Sequence, residues 1–158
     1  MSLLDEFTSG TFERVFPDFV VDGSGPVNRI VLCSGKIYYD LLERREQLGR
    51  KDLALIRLEQ LYPFPQPELR EVLDNYEDGT PVYWVQEEPE NMGACHYIRG
   101  RFREELFDRY PLQTISRPPS ASPAAGSATL HVREQQKVLA RAFDYVHPPA
   151  PPKTAATT

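Results

Sequence analysis

Two spacings of hydrophobic residues alternate along the middle of the chain. Short apolar, β-branched runs predict buried strands, whereas apolar residues three or four positions apart predict amphipathic helices. The predicted strands are 29–33, 53–58, 81–86 and 113–116, and the predicted helices are 37–48, 67–76, 94–107 and 130–145. Strands that alternate with helices favour right-handed crossovers and a mostly parallel sheet. The expected fold class is α/β, an open three-layer αβα domain with helices on both faces of the sheet.

The last predicted helix carries apolar residues at helical intervals, which should face the core. The residues expected to point inward are Leu130, Val138, Leu139, Ala142 and Phe143.

The two ends of the chain differ in composition from this domain, which we place at 27–146. Residues 1–26 form an irregular lead-in with aromatic residues at Phe7, Phe12, Phe16 and Phe19. These aromatics are expected either to dock on the domain surface or to contact a missing neighbour. Residues 147–158 are rich in proline and small polar residues, so we expect a disordered tail that buries little apolar surface.

Length and charge narrow the class of protein. The chain has 158 residues, enough for one domain with a sizeable core, and its net charge is −5 with an isoelectric point near 5.2. This acidity argues against nucleic acid as the main partner. The apolar runs are too short to span a membrane, and the N-terminus resembles neither a secretory signal nor a transit peptide. Two cysteines without a CxxC pair favour a reducing compartment, either cytoplasm or an organelle matrix.

The first candidate site is the turn Ser34, Gly35 and Lys36 between the first strand and the first helix. Ligands of open parallel sheets gather at the carboxyl ends of strands, where backbone N–H groups at a helix start can hold an anion. The turn lacks the glycine spacing of nucleotide-binding loops, so a tight turn with a solvated lysine remains the alternative.

Two further segments follow predicted strands. Glu87 and Glu88, with Asn91 and Gly93 behind them, favour an interface or helix-capping role over catalysis, because adjacent residues of an extended chain point to opposite sides. Arg117 can bind a phosphate or carboxylate, or it can form a surface ion pair. Cys33 lies within an apolar strand, where a thiol is usually inert packing. The histidines show no metal-ligand spacing, so these residues alone predict an α/β domain with a candidate anion site.

Taken in order, these segments resemble the last domain of 2-oxoglutarate dehydrogenase. The resemblance covers residues 3 to 145 and rests on several motifs in the same order, whereas the proline-rich tail and residues 94–97 (ACHY) depart from it. The matching motifs are 4–12 (LDEFTSGTF), 30–41 (IVLCSGKIYYDL), 57–65 (RLEQLYPFP), 84–89 (WVQEEP) with Asn91 and Gly93, Arg117, 120–124 (SASPA), and His131 with Gln135 and Gln136.

The resemblance implies a fold like the transketolase C-terminal domain. It also implies a parent enzyme that decarboxylates 2-oxoglutarate on thiamine diphosphate with magnesium and passes a succinyl group to a lipoyl succinyltransferase core. In this family the preceding domains hold cofactor and metal, so the resemblance implies a chain with no catalytic, cofactor or metal residues of its own. Its role would be to build the dimer and flank the active-site entrance, where Glu87, Glu88, Asn91 and Gly93 form the interface motif. An acetyl-coenzyme A effector site, known in some relatives, would fall on Ser34, Gly35, Lys36, Arg44 and Arg117.

Two other interpretations remain open at this point. The chain can be a stand-alone module that binds a nucleotide or coenzyme A, which the Ser34–Lys36 turn and Arg117 favour. It can also be a truncated product that folds and has no ligand or partner. A split enzyme, in which the remaining domains are a separate chain, is a variant of the first hypothesis.

Overall fold

The computed structural model describes residues 12–21 and 23–144. Its ten elements follow the predicted alternation, and the first helix and the first two central strands have the predicted bounds. In chain order they are β1 (Val15–Phe16), β2 (Arg29–Cys33), α1 (Ile37–Leu48), β3 (Leu53–Leu58), α2 (Gln66–Leu73), β4 (Val82–Pro89), α3 (Cys95–Phe102), β5 (Glu105–Leu106), β6 (Tyr110–Arg117) and α4 (Ala128–Phe143).

The strands form one six-stranded sheet in the order β1-β3-β2-β4-β6-β5. The four central strands are parallel, and the two-residue strands β1 and β5 close the edges in antiparallel pairing. The predicted mostly parallel sheet is therefore confirmed. Because the central strands run in one direction, the carboxyl ends of β2, β3, β4 and β6 share one edge, where the candidate residues collect.

Alternate residues of each strand supply two separate cores, one on each face of the sheet. On one face Ile30 and Leu32 pack with α2 and α3, and on the other Val31 and Cys33 pack with α1 and α4. All five residues of β2 are buried, as expected of a central parallel strand covered on both faces. This arrangement confirms the three-layer αβα architecture.

The predicted helix over 94–107 is wrong in its second half. Helix α3 ends at Phe102, and Arg103 takes a positive φ of 55°. The chain then turns through a tight hairpin between β5 and β6, in which Phe107 and Asp108 have φ of 60° and 59°. Turns of this kind need two residues with positive φ, a role for which Asn-Gly is the usual sequence signal. Phe-Asp gives no such signal, so the apolar spacing favoured a longer helix.

The inward orientation predicted for Leu130 is also wrong, since that side chain is 43% exposed. Only Val138, Ala142 and Phe143 of α4 are buried, and Leu139 is half-buried against the same core. The first turns of α4 therefore lie at the periphery of the sheet, where they have little apolar surface to cover.

The lead-in docks through smaller residues than predicted. Val15, Asp18 and Val21 are buried, whereas Phe12 and Phe19 are 69% and 78% exposed. Among the described aromatics of this segment, Phe16 is the one that packs inward, with its ring 4.5 Å from the Arg57 guanidinium carbon. Phe7 and the tail 147–158 lie outside the described residues, and the domain boundaries at 26 and 146 stay a prediction.

Candidate functional site

The turn after β2 places Ser34, Gly35 and Lys36 at the start of α1, as predicted. Gly35 has a φ of +73°, a backbone conformation that favours glycine, although a side chain there would meet nothing within 4 Å. Lys36 occupies the N-cap position of α1, and its side chain makes no capping hydrogen bond. The N–H groups of Tyr38 and Tyr39 donate instead to the carbonyl oxygens of Gly35 (3.3 Å) and Lys36 (3.0 Å). A lysine ammonium beside the positive end of the helix dipole is a feature that attracts an anion to a helix start.

A cavity of about 520 Å³ opens between this turn, the end of β4 and the start of α3. Within the described ranges, no hydrogen bond or ion pair engages the Lys36 ammonium or the carboxylates of Glu87 and Glu88, so these three charges are available to a ligand. The residues that line the cavity are Ser34, Gly35, Lys36, Leu61, Tyr62, Trp84, Gln86, Glu87, Glu88, Gly93, Ala94 and Tyr97.

The floor of the cavity is held by the side chain of Gln86. Its Oε1 accepts a hydrogen bond of 3.0 Å from the Trp84 indole, and its Nε2 donates to the carbonyl oxygens of Met92 (2.8 Å) and Pro89 (3.1 Å). These bonds fold the segment after β4 back over the strand end. Gly93 completes the fold with a φ of +62°, and a Cβ there would lie 3.1 Å from Gln86 Nε2 and 3.2 Å from the Glu88 carboxyl carbon.

The residues of the predicted interface motif contact two different parts of the molecule. Glu87, Glu88 and Gly93 line the cavity, whereas Asn91 turns toward the loop after β6. There its amide donates to the Ser120 carbonyl (2.9 Å) and its Oδ1 accepts from the Ser120 N–H (3.0 Å). Asn91 thus tethers the loop that precedes α4 to the segment after β4.

Arg117 lies at the end of β6 as an internal clamp. Its Nε donates to the Glu87 carbonyl (2.6 Å), and its two terminal nitrogens bond to Glu134 Oε2 (2.9 Å) and the Pro123 carbonyl (2.5 Å). The residue is 8% exposed, so the ion pair with Glu134 is largely buried. These bonds engage three of the five guanidinium N–H donors, and little of the residue is exposed to an anion.

A smaller cleft of about 280 Å³ separates α1 from the start of α4. Lys36 and Arg44 line it from α1, together with Asp40 and Glu43, and His131 faces them from α4. Gln135 donates to Asp40 Oδ2 (2.8 Å), and its buried Oε1 has no hydrogen-bond partner in the described part of the chain. The structure therefore divides the predicted effector residues: Ser34, Gly35 and Lys36 line the larger cavity, Lys36 and Arg44 line the cleft, and Arg117 lines neither.

The sequence analysis did not identify two tyrosines that line the larger cavity as candidate site residues. Tyr62 is 85% exposed and belongs to the turn after β3, while Tyr97 projects from the first turns of α3. Ligands of open parallel sheets gather at the carboxyl ends of strands, and Tyr62 follows the end of β3. The sequence could therefore have placed Tyr62 at the same edge as Ser34.

The chemistry of the remaining groups is limited. Burial raises the pKa of Cys33 to about 12, so its thiol stays protonated near neutral pH and is inert packing. In residues 12–21 and 23–144, no three His, Cys, Asp or Glu side chains lie close enough to hold a metal ion. No helix in these ranges combines the length and hydropathy required to cross a membrane.

Comparison with known proteins identifies relatives over nearly the whole chain. The family model described as "2-oxoglutarate dehydrogenase C-terminal" matches residues 1–143. The 2-oxoglutarate dehydrogenase E1 component of Azotobacter vinelandii is 46% identical over 152 residues, which cover 90% of this chain and 16% of that protein. The E1 component of the 2-oxoadipate dehydrogenase complex of Mus musculus is 41% identical over 146 residues, with 90% and 16% covered.

This chain therefore spans about one sixth of the length of these curated relatives. A solved structure titled "Split gene transketolase, inactive beta4 tetramer" superposes with a TM-score of 0.49 at 14% identity, covering 77% of this chain and 41% of that one.

Proposed function

The chain belongs to the 2-oxoglutarate dehydrogenase C-terminal family, and from this premise we propose that it serves as the C-terminal domain of a thiamine-diphosphate-dependent dehydrogenase. The parent enzyme would decarboxylate 2-oxoglutarate and transfer the succinyl group to a lipoyl succinyltransferase. The observation that carries the proposal is the family match over residues 1–143, supported by relatives that are E1 components of 2-oxo acid dehydrogenases.

In this proposal the chain is inactive by itself. Thiamine diphosphate and magnesium require a set of oxygen ligands around the metal, and the described residues contain no such cluster. The proposal therefore derives no chemical step on the described residues of this chain. Cofactor and metal would be held by the other domains of the enzyme, in the same or a separate polypeptide.

The exposed part of the lead-in supports an assembling role. Phe12, Phe19 and Val20 are 69%, 78% and 67% exposed, and they lie on the segment that runs along the β3 edge. Phe19 and Val20 are adjacent in the sequence, and neighbouring exposed apolar residues are typical of protein interfaces. We assign this surface to the remaining domains of the dehydrogenase and place the assembly, a homodimer bound to the succinyltransferase core, in the bacterial cytoplasm or the mitochondrial matrix, with cytoplasm favoured.

A second candidate is the binding of a nucleotide or acetyl-coenzyme A, as an effector or by a stand-alone module. The α1–α4 cleft favours it over the larger cavity, because Lys36 and Arg44 there balance the carboxylates of Asp40 and Glu43. The larger cavity suits a polyphosphate less, since Glu87 and Glu88 outweigh Lys36. Arg117 would contribute through the position of the Pro123 loop and α4, which it binds.

The test of the first function is an activity assay of the purified chain with thiamine diphosphate, magnesium and 2-oxoglutarate. We expect no decarboxylation above the buffer rate. Turnover by the chain alone would show that a complete catalytic site lies within it. This result would overturn the proposal that the other domains hold the cofactor and the metal.

The second candidate is tested by titration calorimetry with AMP, coenzyme A and acetyl-coenzyme A up to about 1 mM. Binding that is lost in Arg44→Ala but retained in Arg99→Ala, whose side chain pairs with Glu90 on the surface, would support the α1–α4 cleft. Absence of heat with all three ligands removes this candidate and leaves the first function unaffected.

A further inference from the structure

The larger cavity brings together charges of both signs and an apolar wall. We propose that it binds a free α-amino acid with a large apolar or aromatic side chain. Its volume of about 520 Å³ lies within the range of small-molecule pockets, about 300 to 1,000 Å³. The inference does not rest on the proposed function, because it uses only the lining of the cavity and holds whether the chain works alone or within a larger enzyme.

The order of the strands sets three kinds of side chain beside one another. β2 lies between β3 and β4 in the sheet, and neighbouring strands are about 4.8 Å apart. Leu61 and Tyr62 follow the end of β3, and Lys36 follows the end of β2. Glu87 and Glu88 belong to the last residues of β4. An apolar, a cationic and an anionic part of the cavity are therefore adjacent at the carboxyl edge of the sheet.

The opposite charges of the cavity do not pair with each other. Across residues 12–21 and 23–144, neither Glu87 nor Glu88 forms an ion pair with Lys36, although all three line the same space. A ligand with a single charge can satisfy only one of the two parts. An α-amino acid carries an ammonium and a carboxylate on one carbon atom, so it can form charge-assisted hydrogen bonds with both.

Each charged group of the ligand has a defined place in this arrangement. The carboxylate is assigned to Lys36, because the lysine stands at the start of the 12-residue helix α1, where the helix dipole adds positive potential. The ammonium is assigned to Glu87 and Glu88. The Glu88 carboxylate lies beside Gly93, where a Cβ would come within 3.2 Å of one of its oxygens, so the glycine leaves this carboxylate uncrowded.

The aromatic residues of the cavity determine which amino acids fit. Tyr62 is 85% exposed and Tyr97 is 36% exposed, and Leu61 lines the cavity with them. A large apolar side chain that covers these groups removes apolar surface of both partners from water, which favours binding. Small and polar amino acids lack this contribution, so the site should prefer residues such as phenylalanine and leucine.

The test is a titration of the full chain followed by nuclear magnetic resonance. Trp84 is the only tryptophan of the chain and lines the cavity, so its indole N–H, bonded to Gln86 at 3.0 Å, gives one reporter signal. We expect L-phenylalanine and L-leucine to shift this signal and the amide signals of Gly35 and Gly93, with a Kd below about 1 mM. Phenethylamine lacks the carboxylate and 3-phenylpropionate lacks the ammonium, so each should bind at least about tenfold more weakly than L-phenylalanine.

Matched variants assign the binding to this cavity. Lys36→Gln and Glu87→Gln each remove one charge of the lining and should weaken the binding of L-phenylalanine about tenfold. Lys51→Gln, before β3 at the opposite edge of the sheet, and Glu90→Gln, outside the lining, remove the same charges elsewhere and should leave the affinity unchanged. Arg44→Ala should also leave it unchanged, because Arg44 lines the α1–α4 cleft and not the larger cavity.

Three results would overturn the proposal. The first is that neither amino acid shifts the Trp84, Gly35 or Gly93 signals at concentrations up to about 10 mM, well above the expected Kd. The second is that phenethylamine or 3-phenylpropionate binds as tightly as L-phenylalanine. The third is that Lys36→Gln and Glu87→Gln affect the affinity no more than the control variants do.

Discussion

The Asp18 carboxylate and the Arg45 guanidinium form an ion pair whose side chains are 2% and 4% exposed. Asp18 Oδ2 also accepts a hydrogen bond of 2.7 Å from the Leu55 N–H, and Oδ1 accepts bonds from the N–H groups of Val20 and Val21. The carboxylate thereby satisfies an N–H of β3 beyond its short pairing with β1, and it joins the lead-in to α1. Residues 15–21 are consequently an integral part of the domain's packing.

Replacing Asp18 with asparagine should strongly destabilise the domain. Removal of one partner of a buried ion pair leaves an uncompensated charge, which typically costs about 3–5 kcal/mol. Urea unfolding, followed by the fluorescence of the buried Trp84, measures this loss directly. Glu68→Gln is the control, because its ion pair with Arg14 is exposed and should contribute less than about 1 kcal/mol. Equal effects of the two substitutions would contradict the assigned role of Asp18.

Gly93 and Gly100 form a matched pair for testing the geometry of the cavity floor. Alanine at Gly93 must adopt a φ of +62° and place its Cβ 3.1 Å from Gln86 Nε2, so we expect a loss of about 1–2 kcal/mol or more. Gly100 lies within α3 and a Cβ there meets nothing within 4 Å, so alanine should stabilise the helix by up to about 1 kcal/mol. Thermal unfolding shows whether each substitution raises or lowers the stability of the domain. An unchanged stability of Gly93→Ala would show that the cavity floor is less constrained than described.

Cys33 should make the stability of the domain sensitive to alkaline pH. Burial raises the pKa of the thiol from its ordinary value near 9 to about 12 in the folded chain. Below pH 9 both states keep the proton and the stabilisation is fully present. Between pH 9 and 12 the unfolded thiol loses its proton while the folded one retains it, so the free energy of unfolding falls by about 1 kcal/mol per pH unit.

The measurement compares unfolding of the native chain and Cys33→Ala at pH 7 and pH 10. The alanine variant lacks the thiol's contribution, so its stability disadvantage should shrink at the higher pH. The folded thiol should also resist alkylation by iodoacetamide at pH 8.5. Rapid alkylation of the native protein, or an unchanged difference between the two pH values, would argue against the buried, protonated thiol.

The central part of the fold was predictable because its signals are local. The five-residue run 29–33 and the apolar spacing in 37–48 fix strand and helix without help from distant residues, and both have the predicted bounds. The hairpin at Phe107 was not predictable, because its turn residues carry no glycine or asparagine signal. Tertiary contacts decide it: Tyr110, at the start of β6, donates from its hydroxyl to the carbonyl oxygens of Leu73 and Tyr76.

The candidate site was predictable in position and less so in composition. Parallel strands bring Ser34 and Glu88 to one edge, which the order of elements already implied. The assignment of Arg117 to a ligand depends on which acceptors surround the guanidinium, and those come from Glu87, Pro123 and Glu134, far apart in the sequence. Spacing along the chain contains no information on such contacts, so the effector set stays a prediction.

The most direct test of the central claim is a chimera with the E1 component of Azotobacter vinelandii, in which this chain replaces the region that it matches. The measured quantity is the rate of 2-oxoglutarate decarboxylation with thiamine diphosphate and magnesium, for the chimera and for this chain alone. The proposed role predicts activity in the chimera and none in the isolated chain. A chimera that folds and dimerises but has no activity, or turnover by the chain alone, would contradict it.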